Sequence, residues 1–185
     1  MDAQPVAAGA THPPECSATL ITRSGVVMSV RPVCPTDEPI LEAFFKRVSP
    51  ADLRYRFLSS MRQVDHARIN LMVQVDYDRT ITFLAFDSSG EAIATAMLVA
   101  DADRKAAEVA ISVRSDMKGR GVGWTLLQHV LRYGEARGFR DIRSLESRQA
   151  NETIALERDA GFEFEMCEGD AADVIAVKHL IGHSK

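Results

Sequence analysis

Aromatic residues are scarce in this chain: they make up 6% of its 185 residues, with one tryptophan, Trp124. Cysteine is scarce too. Cys16, Cys34 and Cys167 are scattered and odd in number, with neither zinc-ligand spacing nor a disulfide framework. That excludes a cystine-stapled secreted fold and points to a reducing compartment. There is no basic excess: 22 Lys and Arg stand against 26 Asp and Glu, for a net charge of −4. Nucleic acid is therefore not an expected partner. No apolar run reaches the roughly 18 residues of a membrane helix, so no membrane partner is expected. Residues 1–15 have no basic n-region and no apolar core, and do not read as a signal peptide. A cytoplasmic location follows. The five histidines, His12, His66, His129, His179 and His183, show no H-x-x-x-H spacing, and no metal site is expected.

The remaining composition, 46% hydrophobic and 26% charged, suits one globular domain with a full core. Residues 1–17, rich in Ala, Pro and Gly, read as a disordered tail, and 18–182 as a single domain. Two β-prone runs, Thr19–Thr22 and Val26–Val33, flank Arg23-Ser24-Gly25 as a hairpin. Helices follow. Thr36 or Asp37 caps the first, whose apolar residues Ile40, Leu41, Phe44, Phe45 and Val48 recur at helical spacing. Ser49 caps the second, with Pro50 in its first turn. The third runs from Asp65 to Val75. From Thr80 the texture changes to three strand-like runs, Thr80–Phe86, Ala92–Ala100 and Ala106–Val113, joined by short turns as an antiparallel meander. A helix from Gly121 to Arg137 comes next, stopped by Gly138. Then come a strand Ile142–Ser147, a helix Glu152–Ala160 and two closing strands, Phe162–Cys167 and Val174–His179.

The junction V-R-S-D-M-K-G-R-G-V-G-W-T-L-L, Val113 to Leu127, is the most informative stretch. An apolar strand stops, glycines follow at 119, 121 and 123, and a helix pattern begins at Trp124. Such a junction aims several free backbone N–H groups at one spot, where the helix dipole adds about half a positive charge. That makes a pyrophosphate cradle. The spacing fits neither the P-loop G-x-x-x-x-G-K-[ST] nor the dinucleotide fingerprint G-x-G-x-x-G.

Lys118-Gly119-Arg120-Gly121-Val122-Gly123 resembles the [QR]-x-x-G-x-[GA] loop of the GNAT N-acetyltransferase superfamily, with Lys118 where Gln or Arg is usual. The element order is similar to the GNAT fold over roughly Thr19 to Leu180. The run R-P-V-C-P-T-D-E-P from Arg31, with Ser49-Pro50, Arg54, Arg56-Phe57 and Asp76-Tyr77-Asp78-Arg79, looks like the Pat-type protein lysine acetyltransferases. The resemblance implies an α/β (α+β) domain. Its mixed, mostly antiparallel twisted sheet would have about seven strands flanked by helices and splay between the fourth and fifth. It also implies a stand-alone catalytic module.

Acetyl-CoA is then the expected cosubstrate and an amine, by resemblance a protein lysine, the acceptor. The backbone of Ile111, Ser112 and Val113 would pair with the pantetheine arm, and the amides of Lys118, Gly119, Arg120, Gly121, Val122, Gly123 and Trp124 would hold the pyrophosphate. Lys118 and Arg120 add cations or are simply solvated. Asn151 resembles the family's pantetheine-contacting Asn, one residue closer to the following Gly than usual. Glu108 is the candidate general base: an acid in the apolar strand A-A-E-V-A-I, whose burial would raise its pKa toward neutrality, at the position where several protein-acetylating members carry one. The alternative is a solvent-facing Glu. The family's usual acid is a Tyr four residues before the closing Gly, and there this chain has Glu157. Asp76 and Tyr77 either line the acceptor side or serve a turn. Two other readings stay open: a small-molecule amine acetyltransferase, and a non-catalytic acyl-CoA-sensing module.

Overall fold

A computed structural model describes residues 16–58, 63–167 and 171–180. The tail expected over 1–17 lies outside these residues except for Cys16 and Ser17, and Cys16 is buried in the core. The elements run β1 (Ala18–Ile21), β2 (Val27–Pro32), α1 (Glu38–Phe45), α2 (Pro50–Phe57), α3 (His66–Val73), β3 (Thr80–Phe86), β4 (Ala92–Ala100), β5 (Ala106–Val113), α4 (Val122–Ala136), β6 (Asp141–Ser147), α5 (Asn151–Asp159), β7 (Glu163–Met166) and β8 (Asp173–His179). Each sits within a residue or two of its expected place. The helix caps explain why. The Ser49 hydroxyl accepts the Asp52 amide, and the Asp65 carboxylate accepts the Arg68 amide, so α2 and α3 start where their first orphan donors are satisfied. Asp37 precedes α1 but does not cap it with its side chain. Its carboxylate instead takes two bonds from Arg31, at 2.6 and 2.8 Å, and one from the Cys34 amide. The R-P-V-C-P-T-D motif is thus a brace between β2 and α1.

One eight-stranded sheet has the order β1-β2-β3-β4-β5-β6-β8-β7. Every neighbouring pair is antiparallel except β5 and β6. The sheet has one strand more than the expected seven, so the pair that parts is the fifth and sixth. Alternate residues of β3 face two cores. Ile81, Phe83 and Ala85 pack with Leu126, Leu127 and Val130 of α4 on one side. Leu84 packs with Leu41 and Phe44 of α1, Leu53 of α2 and Ile69 of α3 on the other. The period of two in a strand produces this division. Among the described residues no helix is long and apolar enough to cross a membrane, and Cys16, Cys34 and Cys167 are free thiols.

Phe83 joins the sheet to α4. It is fully buried, with its ring edge-to-face against His129 at 5.1 Å and Tyr133 at 5.3 Å between centroids. Replacing it by alanine removes the ring and leaves a cavity, so Phe83→Ala should lose about 3–5 kcal/mol of stability. Urea unfolding followed by circular dichroism measures this, and a loss below about 1 kcal/mol would contradict the packing described.

Candidate active site

β5 and β6 pair only at Ala106↔Asp141, Ala107↔Ile142 and Glu108↔Arg143. Beyond Glu108, β5 stays with β4 as far as Val113, while β6 continues with β8 as far as Ser147. One edge of β5, from Val109 to Val113, is left facing a gap. A cleft of about 870 Å³ occupies it, walled by α2, β5, β6, the glycine loop and α5.

The glycines shape one end. Gly119 and Gly121 have φ of +71° and +76°, a left-handed backbone that costs residues bearing a Cβ about 1–2 kcal/mol. Gly123 serves another purpose: a Cβ there would stand 3.3 Å from Leu156 and 3.4 Å from Val113. Its absence lets α4 begin tight against β5 and α5. Among the described residues the amides of Lys118 to Trp124 donate to no other group of the protein; the first to do so is Thr125, to the Gly121 carbonyl at 3.0 Å. Several free amides at the positive end of a 15-residue helix make an anion cradle. The first hairpin steadies it, with the Ser24 hydroxyl donating to the Arg120 carbonyl at 2.7 Å.

Ile111, Ser112, Val113, Lys118, Gly119, Gly121, Val122, Gly123 and Asn151 all line this cleft. Arg120 and Trp124 do not. Arg120 reaches the Met117 sulfur at 3.4 Å, and Trp124 lies in an adjoining hollow beneath Arg23, 5.7 Å from its ring centroid. Lys118 is an engaged cation rather than a free one. Its ammonium bonds Asp52 of α2 and Glu152 of α5, each at 2.8 Å, and so ties the two helices together. Partial burial lowers its pKa, but these two acids outweigh that and the net shift is upward.

Glu108 departs from expectation. Its side chain is exposed, not buried, because the even-numbered residues of β5 point away from the core that α4 covers. It is not among the residues that line the cleft, and it sits at the last rung before the strands part. Asp76 and Tyr77 serve a turn. The Asp76 carboxylate accepts the amides of Asp78, Arg79 and Thr80, and the Tyr77 hydroxyl donates to the Val33 carbonyl at 2.8 Å. The exposed His66 pairs with Glu38 at 2.5 Å, and with Glu42 these side chains come within 4.8 Å of one another; none of the three lines the cleft.

Spacing in the sequence marks Glu157 but not its burial, and it does not mark Glu146 as an acid of the cleft. Glu157 is 4% exposed, and the Ser144 hydroxyl donates a short bond to its Oε1. Its Oε2 has no partner among the described residues, and neither do Ser112 Oγ or Arg56 Nε on the cleft wall. Burial pushes the Glu157 carboxyl up to about 7, against the bond from Ser144. Glu146, also on the wall, rises to about 8 through burial and the charge of Glu157; Arg56 and Ser144 oppose the shift. Burial pulls the Arg56 guanidinium down, while Glu108 and Glu146 hold it up. One signal did exist: Ile142, Ser144 and Glu146 alternate on one side of β6, and the first two are buried.

The site is thus a parted sheet with a loop of unpaired amides at one end of the cleft and acids on its wall. The model of the acetyltransferase (GNAT) family matches residues 46–162, and the chain belongs to that family. Acetyltransferase PA5475 of Pseudomonas aeruginosa is 25% identical over 121 residues, which are 64% of this chain and 65% of that protein. The match thus spans just under two thirds of that relative's length. The crystal structure of the GNAT domain of S. lividans PAT superposes with a TM-score of 0.85 at 26% identity, covering 92% of this chain and all of that one. A GNAT superfamily phosphinothricin acetyltransferase from Sinorhizobium meliloti, in complex with AcCoA, has a TM-score of 0.67 at 20% identity, over 83% of this chain and 88% of that one, and shares the fold.

The raised carboxyls give a pH dependence of known sign. Glu157 binds its proton more tightly folded than unfolded, where its value is 4.5. Its contribution is therefore complete below pH 4.5 and is lost as pH rises through about 7, by about 3 kcal/mol at most. Urea midpoints should fall between pH 5 and 9, and the fall should be smaller in Glu157→Gln. Equal falls in the two proteins would refute the shift.

Proposed function

We propose that this chain transfers the acetyl group of acetyl-CoA to a primary amine, that of a protein lysine, by direct attack within a ternary complex. The observation that carries this is the free edge of β5 running straight into the unpaired amides of the glycine loop. Acetyl-CoA has an amide-bearing pantetheine arm followed by a pyrophosphate, and the cleft offers partners for both in that order. The backbone at Ile111, Ser112 and Val113 would take the arm by strand addition. The amides from Lys118 to Trp124 would take the pyrophosphate. The site fits such a ligand on two further grounds: Gly123 lets the start of α4 sit close against Val113 at the end of the free edge, and the buried Ser112 Oγ has no partner among the described residues. Asn151, at the start of α5 on the cleft wall, is placed to meet the arm.

A β5 amide at the gap would donate to the thioester carbonyl as charge develops there. Glu108 is the general base, taking the proton that the lysine ammonium, with a free pKa near ~10.4, must lose before attack. Its exposure supports a macromolecular acceptor, since a protein-borne lysine can reach a carboxylate at the surface. The likeness of Arg31–Pro50 to Pat-type enzymes and the S. lividans PAT neighbour support the same acceptor class. A cytoplasmic setting accords with free thiols and an intracellular cosubstrate.

Incubating the protein with labelled acetyl-CoA and a cell extract should yield a defined set of acetyl-lysines by mass spectrometry. Labelling of small amines alone would instead favour a small-molecule acceptor, and binding without turnover a sensor. Glu108→Gln should lower kcat by about 10²–10⁴-fold while calorimetry finds acetyl-CoA affinity unchanged. Wild-type turnover in that variant would remove Glu108 from the chemistry.

A further inference from the structure

Two cations line the cleft among the described residues, Arg56 and Lys118. Lys118 is taken by Asp52 and Glu152. Arg56 is half-buried, with no ion pair among the described residues and with Nε sealed from solvent without a partner. We propose that Arg56 is a carboxylate-binding subsite for the acceptor, taking the side chain of an Asp or Glu that neighbours the target lysine. The inference rests on the acetyl-transfer reading above and narrows its acceptor to lysines with an acidic neighbour.

The placement of Arg56 carries this. α2 lies over the gap, against both β5 and β6. Asp52 and Arg56, one turn apart, share a face of that helix. Asp52 stands at the cradle end, bonded to Lys118 at 2.8 Å. Arg56 is a turn farther along, where the charges of Glu108 on β5 and Glu146 on β6 act on it. The guanidinium is thus on the side of the proposed base, away from the amides of the glycine loop. Phe57 sets its plane: Cζ of Arg56 stands 4.9 Å from the centre of that ring, and Phe57 packs in turn on Phe45 at 5.9 Å. Stacking occupies the face of a guanidinium and leaves its edge, with the fork of N–H groups, for a carboxylate. Nε is sealed off, so Nη1 and Nη2 are the groups that remain for a ligand. An extended chain advances ~3.5 Å per residue, so the neighbours meant are those within about two positions of the lysine.

The charges of the cleft leave room for such a partner. Of its four carboxyls, Asp52 and Glu152 are committed to Lys118. Burial pushes Glu157 up to about 7 and Glu146 up to about 8, so near neutral pH Glu146 keeps its proton and lends Arg56 little charge. Glu108 is exposed to water and forms no ion pair with Arg56. A guanidinium taken partly out of water without a partner is costly. A carboxylate from the acceptor supplies two parallel N–H···O bonds, in a wall where they count for more than in open water. The same cation disfavours a polycationic small amine, so it selects as well as binds.

The test is kcat/KM, by thiol release from acetyl-CoA, for short peptides with one lysine and Glu, Gln or Arg at each position within about two of it. The panel is run on wild type, Arg56→Gln, Arg56→Lys and Arg56→Glu. Wild type should favour Glu over Gln at one or more positions by about 10-fold, through KM rather than kcat. Arg56→Gln should erase the preference. Arg56→Lys should keep part of it, since the charge survives and the fork does not. Arg56→Glu should turn it toward an Arg neighbour. Each ratio compares two substrates on one protein, so the folded fraction of a variant does not enter it, and Arg56→Lys decides where the glutamine variant is too slow to read. Wild-type protein that releases no thiol with any peptide, cell protein or small amine refutes acetyl transfer and this subsite with it. Turnover of lysine peptides without regard to a Glu neighbour, turnover of small amines alone, or a preference that survives unchanged in the Arg56 variants overturns the subsite and leaves acetyl transfer standing.

Discussion

Two parallel strands that pair for three residues and then separate leave peptide groups facing each other across a space too wide for hydrogen bonds. A buried peptide group without a partner costs about 1–3 kcal/mol, so a gap of this kind closes unless both strands are held elsewhere. Here they are. β5 is paired with β4 from Ala107 to Val113, and β6 with β8 along its whole length. The antiparallel partners on the outside fix the parting on the inside. The edge of β5 from Val109 to Val113 is thus left without a strand partner on the cleft side. The rest of the site hangs on that edge: it sets the direction of the cleft, the start of α4 and the position of α5.

The cleft has two electrical ends. At the glycine loop, unpaired amides and the first turn of α4 present positive charge. On the wall, Glu146 and Glu157 present carboxyls whose ionisation is resisted by burial, and at Glu146 also by the charge of Glu157. Lys118 is held by one acid from α2 and one from α5. A cation committed to two carboxylates adds little to the field of the loop beyond what the backbone dipoles supply. The position braces α2 against α5, and the charge is spent on that.

Local chemistry was readable and long-range burial was not. Ser49 and Asp65 announce helix starts because a cap acts within three residues, and the positive-φ glycines announce the loop because they act on their own backbone. The apolar run Ala106–Val113 announces a strand but not which face is covered, and Glu108 fell on the open one. Glu146 looks like any charged strand residue until Arg56, ninety positions earlier, packs near it, with Glu157 eleven positions later. Lys118 likewise finds its partners 66 residues upstream and 34 downstream. Hydrophobic patterning carries the layers of a fold, while the partners of a buried charge depend on how the layers meet.

That distinction bears on the charges around the cleft. Burial raises the Glu157 and Glu146 carboxyls to about 7 and about 8, and the charge of Glu157 adds to the shift at Glu146. The Arg56 guanidinium, itself pulled down by burial, is held up by Glu108 and by Glu146. One acid of β5 and one of β6 thus act on a single cation of α2 across the opening. The parted sheet makes this possible, because in a continuous sheet the hydrogen-bonded backbone of β5 and β6 would fill the space between them.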